Sequence, residues 1–205
     1  METIDIHLVE MAGWRALLTK AQFVAQIEIH PMLEEYLLRL LFRVTRTPRL
    51  TGLSRSRSGV DGDGNSVLTE DGHLAVIADT IGRHAANDQA GLATVGDHCL
   101  LSAGLFPEQA IRSNFPLTNF VKVGQAAYRE FGEAFDEPIF EMLSDHFVDA
   151  MDVLQTLREL EQNNICIDPL NAYQLWRDTG STYAWQILRR ITPSLPGNDQ
   201  SAVLH

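Results

Sequence analysis

The sequence predicts an all-α fold: a single-domain multi-helix bundle of seven to nine helices, not a simple four-helix bundle. Three observations predict it. Apolar side chains recur every three to four residues through most of the chain, which gathers them on one face of a helix. Prolines and glycines fall between those segments, where helices start and stop. No internal repeat and no heptad seam long enough for a coiled coil is present. The 205 residues, 45% hydrophobic and 21% charged, suffice for one core, since a domain of this size removes roughly 70% of its unfolded surface from water. One helical domain is expected over residues 1–192, with 48–72 a mobile loop inside it and 193–205 a flexible C-terminal tail.

The elements follow in order. Ile4, Ile6 and Leu8 alternate with polar neighbours, which predicts a short strand at 2–9. Trp14, Leu17, Leu18, Phe23, Val24 and Ile27 then suit a helix to about Ile29. Pro31 opens the next helix, which carries Leu33, Leu37, Leu40, Leu41 and Val44 and ends before Pro48. Five glycines and few apolar residues make 48–72 a loop, and one of unusual length for a compact domain. A helix over 73–88 has Leu74, Ile77, Ala78 and Ile81 on one face, and another over 92–106 has Val95, Cys99 and Ala103. Gly96 and Gly104 allow a neighbouring helix to come close. Pro107 marks a break and restart, and a helix follows from Thr118 to Phe135. Asp136 is the expected N-cap of one long helix over 137–162. Asp168-Pro169 repeats that start, Gly180 ends the helix, and Ser181 caps the last one.

The formal charge of −11 argues against nucleic-acid or anionic-membrane partners at long range. No stretch reaches the ~20 apolar residues that span a bilayer. Cys99 and Cys166 read as free thiols of a reducing compartment, and the start METIDIHLVE lacks the pattern of a signal peptide. A cytoplasmic location is expected.

Asp97, His98 and Cys99 are adjacent, so on a helix they point about 100° apart and cannot converge on one substrate. His98 and Ser102 share a face and could line a cleft with Asp97 and Tyr128, or Cys99, Ser102 and Gly104 could simply pack while Asp97 bonds to another helix. Metal ligands are sparse. Glu70-x-x-His73 occurs once, and His84, His98 and His146 would need the fold to gather them. Asp61, Asp63 and Asn65 match the start of a calcium loop, but Ser66 and Gly72 stand where Gly and a bidentate Glu belong. No metal site and no cofactor is assigned. Phosphate-binding, nucleophile-elbow and paired-cysteine motifs are missing.

Arg39, Arg43, Arg46, Arg49, Arg55 and Arg57 fall in a stretch without acidic residues. They are candidates for contact with a partner. The favoured reading is that they pair with the protein's own acidic line Glu141, Asp145, Asp149 and Asp152, with partner contact second and nucleic acid last.

Four segments come in a recognisable order: GDHCLLSAGLFPE at 96–108, VGQAAY at 123–128, FVDAMDVL at 147–154 and LWRDTGS at 175–181. With them the chain resembles a family of uncharacterised bacterial proteins over about residues 30–192. EEYLLRLLFRV at 34–44 matches that family's N-terminal helix more loosely, and Leu117-Thr118-Asn119-Phe120 replaces its aromatic stretch. The resemblance implies a helical protein of the bacterial cytosol and supplies no activity. The expected function is therefore a non-catalytic interaction or adaptor protein, as a homodimer or with another protein. The alternative is a small-molecule binder or enzyme with a pocket between helices near His98, Ser102 and Tyr128, with or without a metal.

Overall fold

The computed structural model describes residues 2–46, 90–112, 115–162, 164–165 and 167–191. The expected loop at 48–72, the helix at 73–88 and the tail at 193–205 lie outside them. Among the described residues there are nine α-helices and no strand. They are α1 (Glu2–Ala25), α2 (Pro31–Arg46), α3 (Ala90–Gly104), α4 (Pro107–Arg112), α5 (Leu117–Phe135), α6 (Pro138–Asp145), α7 (Phe147–Gln162), α8 (Pro169–Thr179) and α9 (Thr182–Ile191).

α7 is the axis of the fold. It packs against α1, α3, α5, α6 and α9, and every residue from Ala150 to Leu157 is buried. A helix enclosed on all sides must satisfy its own polar side chains inside the protein. Gln155 Nε2 donates to Ala103 O at 2.7 Å, so it caps a carbonyl left over at the end of α3. Arg158 donates to Leu105 O at 2.5 Å and pairs with Glu108. Asp152 does the reverse office for α9, accepting from its first turn.

α3 and α5 share the most extensive contact among the described helices. Glycines make that possible, since a Cβ on Gly96 would stand 2.3 Å from the Tyr128 ring, and one on Gly124 3.0 Å from Cys99. α1 lies along α7 through Leu18, Ala21 and Ala25, and α2 lies beside α1 and α6.

Three expectations are corrected. Residues 2–9 are helical, not a strand. Ile4 and Leu8 are also one helical turn apart, and lengthening a helix already nucleated costs far less than starting a separate element. The long helix at 137–162 is two helices. His146 has φ −102° and ψ 22°, which turns the chain between α6, laid on α5, and α7, which threads the centre. Its apolar spacing hides the turn because the two helices run in phase. Asp136 ends α5 instead of opening α6. It takes the left-handed conformation at φ 55° and ψ 44°, which Asp tolerates better than most residues. Glu137 then stands before Pro138 without a side-chain cap.

The other stops and starts are as expected. Asp168 accepts from the Leu170 and Asn171 amides at 3.0 and 3.1 Å, and Gly180 closes α8 with φ 74°. Ser181 Oγ accepts from the Ala184 amide at 3.1 Å.

Candidate functional site

Two of the four pocket candidates meet, and they bring two further residues with them. Asp97, in the middle of α3, is only 8% exposed. Its Oδ1 accepts from Tyr128 of α5 at 2.9 Å and from Tyr36 of α2 at 2.5 Å. Its Oδ2 accepts from Arg43 Nη2 at 3.0 Å. Tyr36 and Arg43 are seven residues apart on α2, two helical turns, so one face of α2 delivers both donors. The Tyr36 ring stands edge-on to Tyr128 and to Phe140.

Burial raises the Asp97 carboxyl above the usual carboxylate range, while the bonds from Tyr36 and Tyr128 and the Arg43 charge act the other way. Burial and the Asp97 charge raise both phenols. Neither phenol gives up its proton in the working range. Such a cluster joins α2, α3 and α5. Tyr128 is fully buried, its hydroxyl committed to Asp97.

His98 and Ser102 lie on the less buried side of α3. Cys99 faces α5, and burial pushes its thiol up to about 12, so it stays protonated. His146 approaches Asp149 at 3.1 Å. His84, Glu70 and His73 lie outside the described residues, as does the 61–72 segment. Among the described residues no group of three or more His, Cys, Asp or Glu side chains could hold a metal ion. No described helix is long and apolar enough to cross a membrane.

The arginines divide. Arg39 pairs with Glu35 at 3.1 Å, one turn away on α2, and Arg43 with Asp97. The side chain of Arg46 and the whole of Arg49, Arg55 and Arg57 lie outside the described residues. The acidic line at 141–152 finds other neighbours: Asp145 stands 3.8 Å from Arg129, Asp149 meets His146, and Asp152 is buried against α9.

Asp152 is a second buried carboxylate. It is 1% exposed, accepts from Ser181 Oγ at 2.6 Å and from the Tyr183 amide at 3.1 Å, and forms no ion pair among the described residues. Burial pushes it up to about 7. The positive end of the α9 dipole faces it in place of a cation.

One surface is open and rich in aromatic residues. On α8, Leu170 is 66% exposed and Tyr173 44%. Tyr173 leans on Trp176, Trp176 stacks on Trp185 of α9 at 4.9 Å, and the Arg177 guanidinium lies 5.9 Å from the Tyr173 ring centre. Beside it, Ile111, Phe115, Pro116, Asn171 and Gln174 line a depression of about 180 Å³. None of the four pocket candidates lines it. The helix opened by Asp168-Pro169 and ended by Gly180 was expected from the sequence, but this surface on it was not. The available signal was Leu170, Tyr173 and Arg177 at helical spacing, an outward stripe with an apolar start.

No protein-family model matches the chain, and searches of curated proteins and of solved structures give no significant match. The four sequence segments nevertheless have a physical account within the molecule, because they pack on one another. Gly96 lies under Tyr128, Gly104 under Leu154 and Gly124 under Phe147, and the Ser181 hydroxyl bonds to Asp152. They are the seams and caps of the bundle.

Proposed function

We propose that the protein is a non-catalytic interaction or adaptor protein, working through the outer surface of α8 and α9. The observation that carries this is the surface cluster of exposed Leu170, Tyr173 and Arg177 over half-buried Trp176 and Trp185. Tyrosine, tryptophan and arginine are the residues that dominate binding energy at protein interfaces. The buried carboxylates Asp97 and Asp152, by contrast, bond across to neighbouring helices. We propose further that it works in the bacterial cytoplasm, a reading supported by the motif resemblance and by that of Cys99 and Cys166 as free thiols.

The test is a Leu170→Asp, Tyr173→Ala double variant, which alters only exposed side chains. Wild type is expected to bind a macromolecular partner, this chain or another, in light scattering coupled to size exclusion and in pull-down. The variant should bind roughly tenfold or more weakly with unchanged melting. A wild type that binds no macromolecule in either measurement would refute the proposal.

A further inference from the structure

The molecule has two unlike poles. Residues 130–145 hold six acidic and no basic residues, and Glu130, Glu133, Asp136, Glu137, Glu141 and Asp145 are all exposed. Phe135 sits among them, 44% exposed at the end of α5. The opposite character belongs to α8 and α9. From Pro169 to Ile191 there are three arginines and one acid; Arg177 pairs with Asp178, and Arg190 with Glu159 of α7. Arg189 lies one turn beyond Trp185 on the same face of α9 and makes no ion pair among the described residues. Lys122, also exposed, lies close enough to Asp178 to act on its carboxyl.

A single copy cannot bring its poles together. Lys122 belongs to the first turns of α5 and Phe135 to its end. Thirteen residues of rigid helix separate them, about 20 Å. The depth of charge elsewhere adds a constraint, since copies of net charge −11 repel unless they meet through complementary patches.

We infer that the aromatic and basic α8–α9 face receives the acidic, Phe135-bearing end of α5–α6 from a second copy of this chain. The contact joins unlike surfaces, so each copy keeps one pole free. Association is head-to-tail and continues beyond a dimer unless it closes into a ring. Salt weakens it, because the opposed charges are exposed. The inference rests on the α8–α9 surface being an interface, and it names the occupant.

The experiment uses the full chain in sedimentation equilibrium, at about 20 mM and about 500 mM salt. In low salt the average mass should rise with concentration past that of a dimer, or settle at a ring of three or more copies. In high salt it should fall towards a monomer. Two variants isolate the poles: Tyr173→Ala with Arg189→Glu, and Phe135→Ala with Glu133→Gln. Each alone should associate at least tenfold more weakly than wild type. Mixed in equal amounts, they retain one intact pole each and should form a one-to-one dimer and nothing larger. A strictly monomeric wild type in low salt, a salt-insensitive mass that stops at the dimer, or a mixture that stays monomeric would each overturn the inference. If wild type is monomeric while the Leu170→Asp, Tyr173→Ala variant still loses a different partner, the occupant is wrong and the interface stands.

Discussion

Gly96 and Tyr128 are packed so that no other residue fits at position 96: a Cβ there would stand 2.3 Å from Cε1 of the ring. The ring cannot retreat, because it is fully buried and its hydroxyl is held by Asp97, the next residue along α3. Close approach and hydrogen bond are thus one device. The glycine lets α5 come near enough for the phenol to reach the carboxylate.

Gly96→Ala should therefore destabilise the fold by about 1–3 kcal/mol, the usual cost of overpacking a filled core, despite the better helix propensity of alanine. Gly13 provides the opposite case within the same molecule. Among the described residues nothing lies within 4 Å of a Cβ there, so Gly13→Ala should stabilise by up to about 1 kcal/mol. Urea unfolding of the two variants checks both signs. Equal effects would mean that the Tyr128 ring moves freely.

The Asp97 cluster should rank its members by burial. Asp97→Ala strands the buried Tyr128 hydroxyl and breaks three bonds, and should cost about 3 kcal/mol or more. Tyr128→Phe removes one donor and should cost about 1–2 kcal/mol. Arg43 is 62% exposed on its side chain, so water screens the pair and Arg43→Ala should cost at most about 1 kcal/mol. Chemical denaturation at neutral pH gives the order. A larger loss for Arg43→Ala than for Tyr128→Phe would contradict it.

Asp152 makes stability depend on pH in an uncommon direction. Burial lifts its carboxyl to about 7 in the folded protein, against about 3.9 in an unfolded chain. Between those values the folded state holds a proton that the unfolded state has released. Stability should then fall as pH rises from about 4 to about 7 and level off above. Burial also raises Asp97, which adds to the same slope. Asp168 opposes it: its bonds from Asn171 and Leu170 lower its carboxyl, so its contribution is present at neutral pH and lost on acidification. Melting of wild type and Asp152→Asn across pH 5 to 8 separates the terms. The difference between the two should shrink or reverse as pH rises; a constant difference would show that Asp152 does not titrate in this window.

Much of the helical layout was legible because one period and a few terminators specify it. Asp168 before Pro169, Gly180 at φ 74° and Ser181 at the next N-terminus all behave as their side chains dictate. The turn at His146 was not legible, since Met142 and Leu143 before it and Met151 and Leu154 after it keep one phase. Asp136 misled because Asp suits both an N-cap and a left-handed C-cap, and only the two-residue gap between α5 and α6 decides. Of the site, Asp97 and Tyr128 could be singled out as residue types. Tyr36 could not, because its bond to Asp97 spans 61 positions that no local pattern connects. Arg43 was visible as a charge, but its partner is one buried aspartate rather than an acidic helix.

Gln155 tests whether the central helix is anchored by its polar side chains or only by packing. It is fully buried, and its amide donates to Ala103 O at the end of α3. Gln155→Met keeps the volume, removes the donor and leaves that carbonyl unpaired, for a loss of about 1–2 kcal/mol. Gln155→Glu keeps the shape but offers only acceptors, so a buried charge would face a carbonyl oxygen. It should cost several kcal/mol near neutral pH and recover in acid, where the carboxyl takes a proton and can donate. Thermal melts at pH 5 and pH 8 distinguish the two. If Gln155→Glu is as stable as Gln155→Met at pH 8, the 155 side chain is not held against α3 in solution and the α3–α7 contact is apolar packing alone.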